Sequence, residues 1–430
     1  MKIHSMNGVV LRKEIADGIK KIGEADILIG IPSYNNASTI GHVVKAIHAG
    51  LAKYFPERKS ILVNSDGGST DGTMAVVKNT AVEDFQSVLL HHRVEPVFKI
   101  ATPYHGIPGK GSAFRTIFEI ASALNVKACA VVDSDLRSIT PEWVELLIKP
   151  VLSEGFDYVA PLYYRHKYDG TITNSIVYPV TRALYGKSIR QPIGGDFGFS
   201  GELANYYLTK DVWDTDVAKY GIDIWMTTTA IANNFNICQS FLGTKIHDVK
   251  DPGADLSAML YQVVGSTFDL METYPHVWKK VKKSQQVPTF GFQYTAGLEP
   301  ISVNIENMIQ KFKLGVKELI SIWRVFMPKE IIDFLRRALK MPNEKFSIPD
   351  SVWVEIIYCF AAATHTKVIN KEHLLKSLTP LYIGRIASFV REAWDSDAAE
   401  VELKIEELCG MFERKKSFLL ENWEKQKGVE

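Results

Sequence analysis

The stretch DILIGIPSYNN, residues 26–36, sets the pattern from which the fold is predicted. Its apolar half predicts a short buried strand, which Pro32 and the polar turn after it bring to an end. Apolar residues then recur at helical spacing from Ile40 to Leu51, which predicts a helix on the next segment. The stretch KSILVNSDGGSTDGT, residues 59–73, repeats the order of strand, polar turn and helix start.

The same alternation continues along most of the chain. Further strands are predicted at ACAVVD, residues 128–133, and at DYVAPLYY, residues 157–164. Alternating strands and helices are typical of an α/β fold with a mostly parallel sheet flanked by helices. After about residue 298, strand-like runs become scarce and apolar residues recur at helical spacing. We therefore predict an α/β domain over 1–298 and an all-helical region over 299–430, which packs on the core or against a second subunit of a homodimer.

Composition and charge exclude several classes of function. Of the 430 residues, 46% are hydrophobic and 23% are charged, as in ordinary globular proteins. The net charge of +1 argues against broad electrostatic binding to nucleic acid or to an anionic membrane. No window approaches the roughly 18 apolar residues of a membrane span, and the N-terminal segment lacks the apolar core of a signal peptide, so we expect a cytoplasmic protein. The cysteines form no CxxC pair, which favours buried, reduced thiols at Cys129, Cys238, Cys359 and Cys409.

Two carboxylates follow the predicted strand ACAVVD in the sequence VVDSDL, residues 131–136. On a regular strand they would face the same side, where like charges repel unless a cation or strong hydrogen-bond donors lie between them. Asp133 and Asp135 are therefore candidate ligands of Mg²⁺ or Mn²⁺, which prefer oxygen ligands and commonly bridge to substrate phosphates. Ligands of open α/β sheets bind beyond the carboxyl ends of strands, where this pair lies. The residues alone leave a second interpretation open, in which both are solvated loop acids or a helix cap.

Two Gly-rich turns and one histidine are further candidates. In GIPGKGSAF, residues 106–114, glycines let backbone N–H groups approach an anion and Lys110 adds a full positive charge. The alternative is a flexible loop with an exposed lysine. Asp66 in NSDGGSTDGT can accept hydrogen bonds from a nucleotide base or sugar, or it can cap its own turn. His247 in GTKIHDVKD is a candidate metal ligand beside the acid pair, although a lone histidine is more often structural.

Taken in order, the motifs PSYNN, DGGSTDGT and VVDSDL resemble those of GT-A glycosyltransferases, which use nucleotide-sugars. The blocks PGKGSA, RQPIGGDFGFSGELA, YGIDIWMTTTAI and LGTKIHDVKDPGADLSAM are similar, in finer detail, to the retaining glucosyl-3-phosphoglycerate synthase / glucosylglycerate synthase family. The resemblance implies a GT-A fold and a metal-dependent retaining hexosyltransferase. The implied reaction moves an α-glucosyl group from a nucleotide-sugar to the 2-hydroxyl of D-glycerate or 3-phosphoglycerate, giving a compatible solute or its phosphorylated precursor.

The same resemblance implies roles for individual residues. Those expected to act in catalysis are Lys110, Asp135 and Asp223. Those expected to hold Mg²⁺ or Mn²⁺ are Asp135 and His247. The donor, GDP- or UDP-glucose, is expected to meet Pro32, Tyr34, Asn36, Asp66, Lys110, Ser112, Asp133, Ser134 and Asp223. The acceptor is expected to meet the polar loop after DYVAPLYY and the QPIGG block, at Gly170, Thr171, Thr173, Gly194 and Gly195.

Three alternatives stay open from the sequence. An inverting family-2-like glycosyltransferase needs an acidic base near the acceptor, for which Asp196 and Asp223 are candidates; a mannosyl donor or a different acceptor fits the same motifs. A sugar nucleotidyltransferase carries its Gly-rich loop directly after the first strand, where PSYNNAST has no glycine. A non-catalytic protein that binds a sugar nucleotide would not need Lys110, the acid pair and His247 together.

Overall fold

The computed structural model describes residues 3–6, 9–80, 97–104, 106–246, 257–293, 301 and 303–425 of the chain. The described residues divide into two compact units. The first unit is drawn from Met1–Tyr164, Gln191–Val249 and Val287–Ala296, and the second from Arg165–Arg190, Lys250–Gln286 and Gly297–Glu430. The contacts therefore do not divide the chain at a single point, and the boundary at residue 298 stays a prediction.

The elements of both units are numbered along the chain. The strands are β1 Ile3–Met6, β2 Val9–Arg12, β3 Ile27–Ser33, β4 Ser60–Asp66, β5 Phe98–Pro103, β6 Ala128–Val131, β7 Tyr158–Tyr164, β8 Lys187–Ser188, β9 Phe197–Ser200, β10 Ile237–Thr244, β11 Gln285–Gln286 and β12 Thr289–Phe290. The helices are α1 Lys13–Ile22, α2 Ile40–Tyr54, α3 Thr73–Asn79, α4 Lys110–Ala123, α5 Pro141–Ser153, α6 Tyr178–Tyr185, α7 Gly201–Leu208, α8 Ile222–Ala232, α9 Ser257–Thr273, α10 Pro275–Trp278, α11 Ile305–Trp323, α12 Lys329–Ala338, α13 Asp350–Thr366, α14 Lys371–Glu392, α15 Ala398–Arg414 and α16 Lys416–Lys425.

An eight-stranded sheet in the order β12-β10-β7-β9-β6-β3-β4-β5 forms the centre of the first unit. Every neighbouring pair is parallel except the two made by β9, which runs antiparallel to β6 and β7. β3 pairs in parallel with β4 on one side and with β6 on the other. The carboxyl ends of β3, β4 and β6 therefore lie at one edge of the sheet, where open α/β sheets bind their ligands.

Helices cover both faces of β3. All seven residues of the strand are buried, as expected for a parallel strand between two helical layers. Ile27, Ile29 and Ile31 point into a hydrophobic core that also includes Val44 of α2. On the other face, a Cβ added to Gly30 would come within 2.6 Å of side-chain atoms of Ile117 in α4, so α4 packs closely against the strand.

Helices make up most of the second unit, together with the short parallel pair β8 and β11. α11 and α14 approach closely at Gly315, where an added Cβ would lie 2.2 Å from the Cβ of Pro380. Arg385 of α14 is buried, and its guanidinium pairs with Asp350 of α13 at 2.5 Å. A π-helical turn, Thr173–Val177, directly precedes α6.

Most of the predicted architecture is confirmed. The sheet is mostly parallel, the C-terminal region is helical, and all four cysteines are buried and free. In the described part of the chain, no helix has the length and apolar character needed to cross a membrane. Two loop predictions were wrong in extent. α4 begins at Lys110, inside the predicted GIPGKGSAF loop, and the polar loop after β7 becomes helical at Thr171.

The tight packing of β9 yields a stability prediction. A Cβ added to Gly198 would lie 2.1 Å from the carbonyl oxygen of Leu147 in α5, a backbone atom that can move only with its helix. We expect Gly198→Ala to lower the free energy of unfolding by ~1–3 kcal/mol, the usual cost of overpacking. Chemical denaturation with far-UV circular dichroism measures this change.

Gly18 provides the matched control. It lies within α1, has no atom within 4 Å of an added Cβ, and does not have a positive φ. Gly18→Ala should therefore leave the protein as stable or raise its free energy of unfolding by about 0.5–1 kcal/mol. Equal stability changes in the two variants would contradict the packing derived for Gly198.

Candidate active site

Two polar turns, after β3 and after β4, interlock at the carboxyl edge of the sheet. The Asn35 side-chain oxygen accepts a hydrogen bond from the N–H of Thr70 at 3.0 Å, and Asp71 Oδ2 accepts one from the N–H of Ala37 at 2.9 Å. Short Asn, Asp and Ser side chains favour such turns because they bond to nearby backbone groups. The arrangement leaves the ring of Tyr34 exposed (64%) beside these turns, as a surface on which a base could stack.

Asp66, a predicted donor-binding residue, organises the turn after β4. Its Oδ1 accepts from the N–H groups of Gly68 and Ser69 at 2.9 and 2.7 Å. Its Oδ2 accepts from the hydroxyls of Ser33 and Ser69 at 2.8 and 2.7 Å. Of the two roles open from the sequence, the structure therefore shows the cap, and a bond to the donor stays a prediction. Pro32, predicted to help end the first strand, instead lies buried within β3, which continues to Ser33.

The DSD turn after β6 is tied to the turn after β3. Ser134 Oγ donates to Asn36 Oδ1 at 2.8 Å, and Thr39 Oγ1 donates to the carbonyl oxygen of Ser134 at 2.8 Å. β6 ends before Asp133, so Asp133 and Asp135 lie in an irregular turn. The alternation of a regular strand therefore does not place these two acids on one face, contrary to the expectation from spacing.

Lys110 lies between two carboxylates in the first turn of α4. Its Nζ is 2.9 Å from Asp133 Oδ1 and 3.3 Å from Asp223 Oδ1, and it lies over the ring of Phe114. Asp223, in the first turn of α8, is 8% exposed. Although Lys110 is near, Asp223 Oδ1 has no hydrogen-bond partner among the described residues. A buried acceptor in this state is suited to a donor group from a ligand.

Lys245, directly after β10, joins a second pair of acids. Its Nζ donates to Asp133 Oδ2 at 2.8 Å, to Asp196 Oδ2 at 2.7 Å and to the carbonyl oxygen of Gly194 at 2.8 Å. Asp196 is fully buried and also accepts from the N–H of Asp133 at 2.7 Å and from the hydroxyl of Tyr163. These contacts connect the group that we call the acid–lysine cluster: Lys110, Asp133, Asp196, Asp223 and Lys245.

The cluster shifts the pKa values of its members in different directions. Burial alone would raise the pKa of Asp133, but Lys110 and Lys245 outweigh it and hold that pKa well below its usual range. Burial also opposes the charge on Lys110, yet Asp133 and Asp223 raise its pKa overall. For Asp223 burial prevails, and its pKa is raised even though Lys110 offsets part of the effect. The three acids outnumber the two lysines, which favours the approach of a further cation.

Two amides of the Gly-rich loop before α4 do not face an anion site, contrary to the expectation from the sequence. The N–H of Gly109 donates to Tyr104 Oη at 2.8 Å, and the N–H of Gly111 donates to the carbonyl oxygen of Lys219 at 3.2 Å. An added Cβ on Gly111 would lie 1.9 Å from the carbonyl oxygen of Val217. The glycines are therefore needed for close packing on the 217–219 backbone, and these two amides bind protein acceptors rather than an anion.

The predicted metal ligands are only partly described. Asp135 is half-buried in the turn after β6, and His247 lies outside the described residues. Within the described ranges, no group of three or more His, Cys, Asp or Glu is arranged to hold a metal ion. The pairing of Asp135 with His247 on a metal stays a prediction. Ser112, a predicted donor residue, is buried, and its hydroxyl donates to the carbonyl oxygen of Ile107 at 2.5 Å.

The predicted acceptor residues fall into two groups. Gly194 and Gly195 lie at the cluster. Gly195 has a φ of +89°, and an added Cβ there would lie 2.2 Å from Asp133 Oδ2, so only glycine fits. The other group belongs to the second unit and consists of Gly170, Thr171 and Thr173. The Thr171 hydroxyl lies 2.5 Å from Tyr382 Oη, and the acceptor role of this group stays a prediction.

Sequence reasoning missed Lys245 and Tyr163 as site residues, and it named Asp196 only as a candidate base. A lysine directly after a long apolar strand was the one available signal for Lys245, because such a lysine lies at the ligand edge of a parallel sheet. Asp196 and Tyr163 gave no comparable signal. Their meeting depends on β9, whose antiparallel course between β6 and β7 has no clear mark in the sequence.

Residues 28–193 match the model of the family described as Glycosyl transferase family 2. The matched segment contains Lys110 and Asp133 and ends before Asp196 and Lys245. No curated protein matches the chain.

The chain is also similar to solved structures of glucosyl-3-phosphoglycerate synthase from Mycobacterium tuberculosis. For the complex with Mn²⁺, UDP and phosphoglyceric acid, the identity is 21%, the match covers 60% of this chain and 82% of that chain, and the TM-score is 0.42. For the complex with Mg²⁺ and UDP, the identity is 22%, the match covers 60% of this chain and 83% of that chain, and the TM-score is 0.42. For the complex with Mn²⁺, UDP-glucose and phosphoglyceric acid, the identity is 21%, the match covers 63% of this chain and 86% of that chain, and the TM-score is 0.42.

The mostly parallel sheet flanked by helices is a GT-A-like fold, and residues 28–193 of it match the Glycosyl transferase family 2 model.

Proposed function

We propose that the chain is a glycosyltransferase that moves an α-glucosyl group from GDP- or UDP-glucose to the 2-hydroxyl of D-glycerate or 3-phosphoglycerate, with Mg²⁺ or Mn²⁺. The observation that carries the proposal is the acid–lysine cluster at the carboxyl edge of the sheet, two of whose members lie within the family-matched segment 28–193. The choice of acceptor rests on the resemblance of the QPIGG block and the polar loop after β7 to the acceptor regions of the glucosylglycerate-forming family.

Lys110 is suited to stabilise the leaving group. As the bond between sugar and diphosphate breaks, negative charge develops on the diphosphate, and a preorganised positive charge lowers the barrier. Asp133 and Asp223 raise the pKa of Lys110, so the ammonium stays charged although it is only partly exposed. A charge in such a partly enclosed site acts more strongly than one at a fully exposed surface.

The residues present fit a divalent cation. Mg²⁺ is usually held by one or two carboxylates together with substrate phosphates and water, so a full cage of protein ligands is not required. Asp135 would hold the cation, with His247 as the predicted second ligand, while Asp133 is engaged by two lysines. When bound, the cation would supply further positive charge at the diphosphate oxygens.

Asp223 is suited to bind the donor sugar. Its Oδ1 is buried without a hydrogen bond among the described residues, and a sugar hydroxyl supplies the missing donor. With Asp223 in this role, the described residues of the acid–lysine cluster include no obvious nucleophile. The resemblance to the retaining family then implies a front-face attack in which the leaving phosphate takes the proton of the acceptor hydroxyl.

One observation favours a second candidate, inverting transfer with Asp223 as general base. Its pKa is raised by burial, which favours the uptake of a proton by this carboxylate. Asp196 is less suited to that role, since it is fully buried and both oxygens already accept hydrogen bonds. The anomeric configuration of the product, determined by NMR, distinguishes the two reactions.

The main test is a matrix of substrates with matched lysine variants. Wild-type protein is incubated with UDP- or GDP-glucose, or with GDP-mannose, together with each acceptor, with Mg²⁺, Mn²⁺ or a chelator. We expect a glycoside that the chelator abolishes. Lys110→Met should lower kcat by about 10²–10³-fold, as expected for loss of a group that stabilises transition-state charge. Glycoside formation is followed by chromatography and mass spectrometry.

Lys127 is the control for this substitution. Its side chain is 63% exposed, and its Nζ lies 2.7 Å from Asp26 Oδ1. This pair lies at the amino ends of β3 and β6, two of the strands whose carboxyl ends form the site. Lys127→Met removes an acid–lysine contact at the opposite edge of the sheet and should leave kcat unchanged. If the wild-type protein binds nucleotide but forms no glycoside, the result would instead support a non-catalytic binding protein. Full turnover by folded Lys110→Met protein would exclude the role assigned to Lys110.

The raised pKa of Asp223 predicts the acid limb of the pH profile. The carboxylate form accepts a sugar hydroxyl or a proton, so activity is lost as the pH falls through this pKa. Because the pKa lies above its ordinary value of 3.8, the loss begins at a higher pH than for an exposed aspartate. Asp223→Asn should lower kcat/KM and remove this limb. An unchanged limb in folded Asp223→Asn protein would assign the titration to another group.

A further inference from the structure

We propose that Lys245 is a positioning residue of the transfer reaction, acting through Asp133 on Lys110. The inference rests on the proposed function and deepens it. Lys245 is 7% exposed, and three acceptors lie within 2.8 Å of its Nζ, as many as an ammonium has hydrogens. Those acceptors belong to Asp133, which follows β6, and to Gly194 and Asp196, which precede β9. Lys245 itself follows β10, so its contacts join the ends of three strands of the sheet.

The contacts around Asp133 close a ring. Its N–H donates to Asp196 Oδ1 at 2.7 Å, while its Oδ2 accepts from Lys245, which also donates to Asp196 Oδ2. Asp196 is itself fully buried and receives the hydroxyl of Tyr163. Asp196, a fully buried acid, therefore holds the backbone of Asp133 directly and its carboxylate through Lys245.

This ring determines what Asp133 offers to Lys110. With Oδ2 taken by Lys245, Oδ1 is the oxygen that faces Lys110, at 2.9 Å. Lys110 is thereby held between Asp133 and Asp223, by one oxygen of the first and by loose contacts of 3.3 and 3.4 Å to the second. An ammonium held in this way remains able to turn toward a diphosphate that carries more charge.

Removing Lys245 would change that balance. Asp133 would lose its second cation and could rotate to present both carboxylate oxygens to Lys110. Asp133 would then bind Lys110 more tightly. The leaving diphosphate would compete for Lys110 less well. Since the charge on the diphosphate is largest after the sugar bond breaks, the effect should appear in kcat and in binding of the nucleoside diphosphate, more than in binding of the intact donor.

The test compares Lys245→Met, Lys245→Met/Asp196→Asn and Lys127→Met with wild type. For Lys245→Met we expect kcat to fall about 100-fold, the size seen for a misplaced catalytic group, with a donor KM within about threefold. Binding of UDP or GDP with Mg²⁺, measured by calorimetry, should weaken by about 10-fold. Lys127→Met should match wild type in each measurement.

The double variant separates positioning from structural support. Lys245→Met leaves a buried acid without its cation and should lower the melting temperature, whereas adding Asp196→Asn removes that charge and should recover it. Positioning predicts that kcat and diphosphate binding stay low in the stable double variant. Recovery of kcat together with stability would overturn the inference, as would wild-type kcat in Lys245→Met.

Failure of the proposed function gives a different result. If wild-type protein forms no glycoside and binds neither nucleoside diphosphate, the proposed function fails and this inference fails with it. If wild-type protein binds one of them and Lys245→Met binds it equally well, the inference alone fails.

Discussion

The parallel pairing of β3 with both β4 and β6 is the constraint on which the site depends. Because the three strands run in the same direction, the turns that follow them meet at one edge of the sheet. Those turns are rich in Asn, Asp and Ser, whose side chains bond to the backbone and side chains of the neighbouring turns and so tie the turns together. All seven residues of β3 are buried, and its isoleucines pack into the hydrophobic core that supports this edge.

Electrostatics decides how the acids at that edge are used. A lone buried carboxylate is costly, and the cluster meets this cost by giving Asp133 and Asp196 a shared ammonium from Lys245. Asp223 receives less compensation, which explains both its raised pKa and its unfilled oxygen. The same group of residues therefore contains well-paired acids that hold the geometry and one poorly paired acid that is available for a ligand.

Local patterns predicted the fold class and part of the site. Apolar runs ending in polar turns predicted the parallel sheet. The family resemblance, and not local spacing, assigned Lys110, Asp133 and Asp223 to one donor site, and their side chains do lie together. Spacing could not show that Asp133 would face two lysines, because Lys245 lies more than a hundred residues away in sequence. The glycines around Lys110 were misread for a related reason. The backbone that they approach, residues 217–219, is distant in sequence, so close packing and anion binding look alike there.

The antiparallel strand β9 has a consequence for how the protein is made. It lies between β6 and β7, so these two strands do not pair with each other in the sheet. They are joined only through β9, which is synthesised after both. During translation the growing sheet is therefore left with an open edge at β6 until residues beyond Phe197 have left the ribosome, and Lys245 arrives later still. Pairings of such long range are slow to form and leave apolar edges exposed meanwhile. The order of synthesis thus delays the assembly of the acid–lysine cluster until β9 and β10 have both been made.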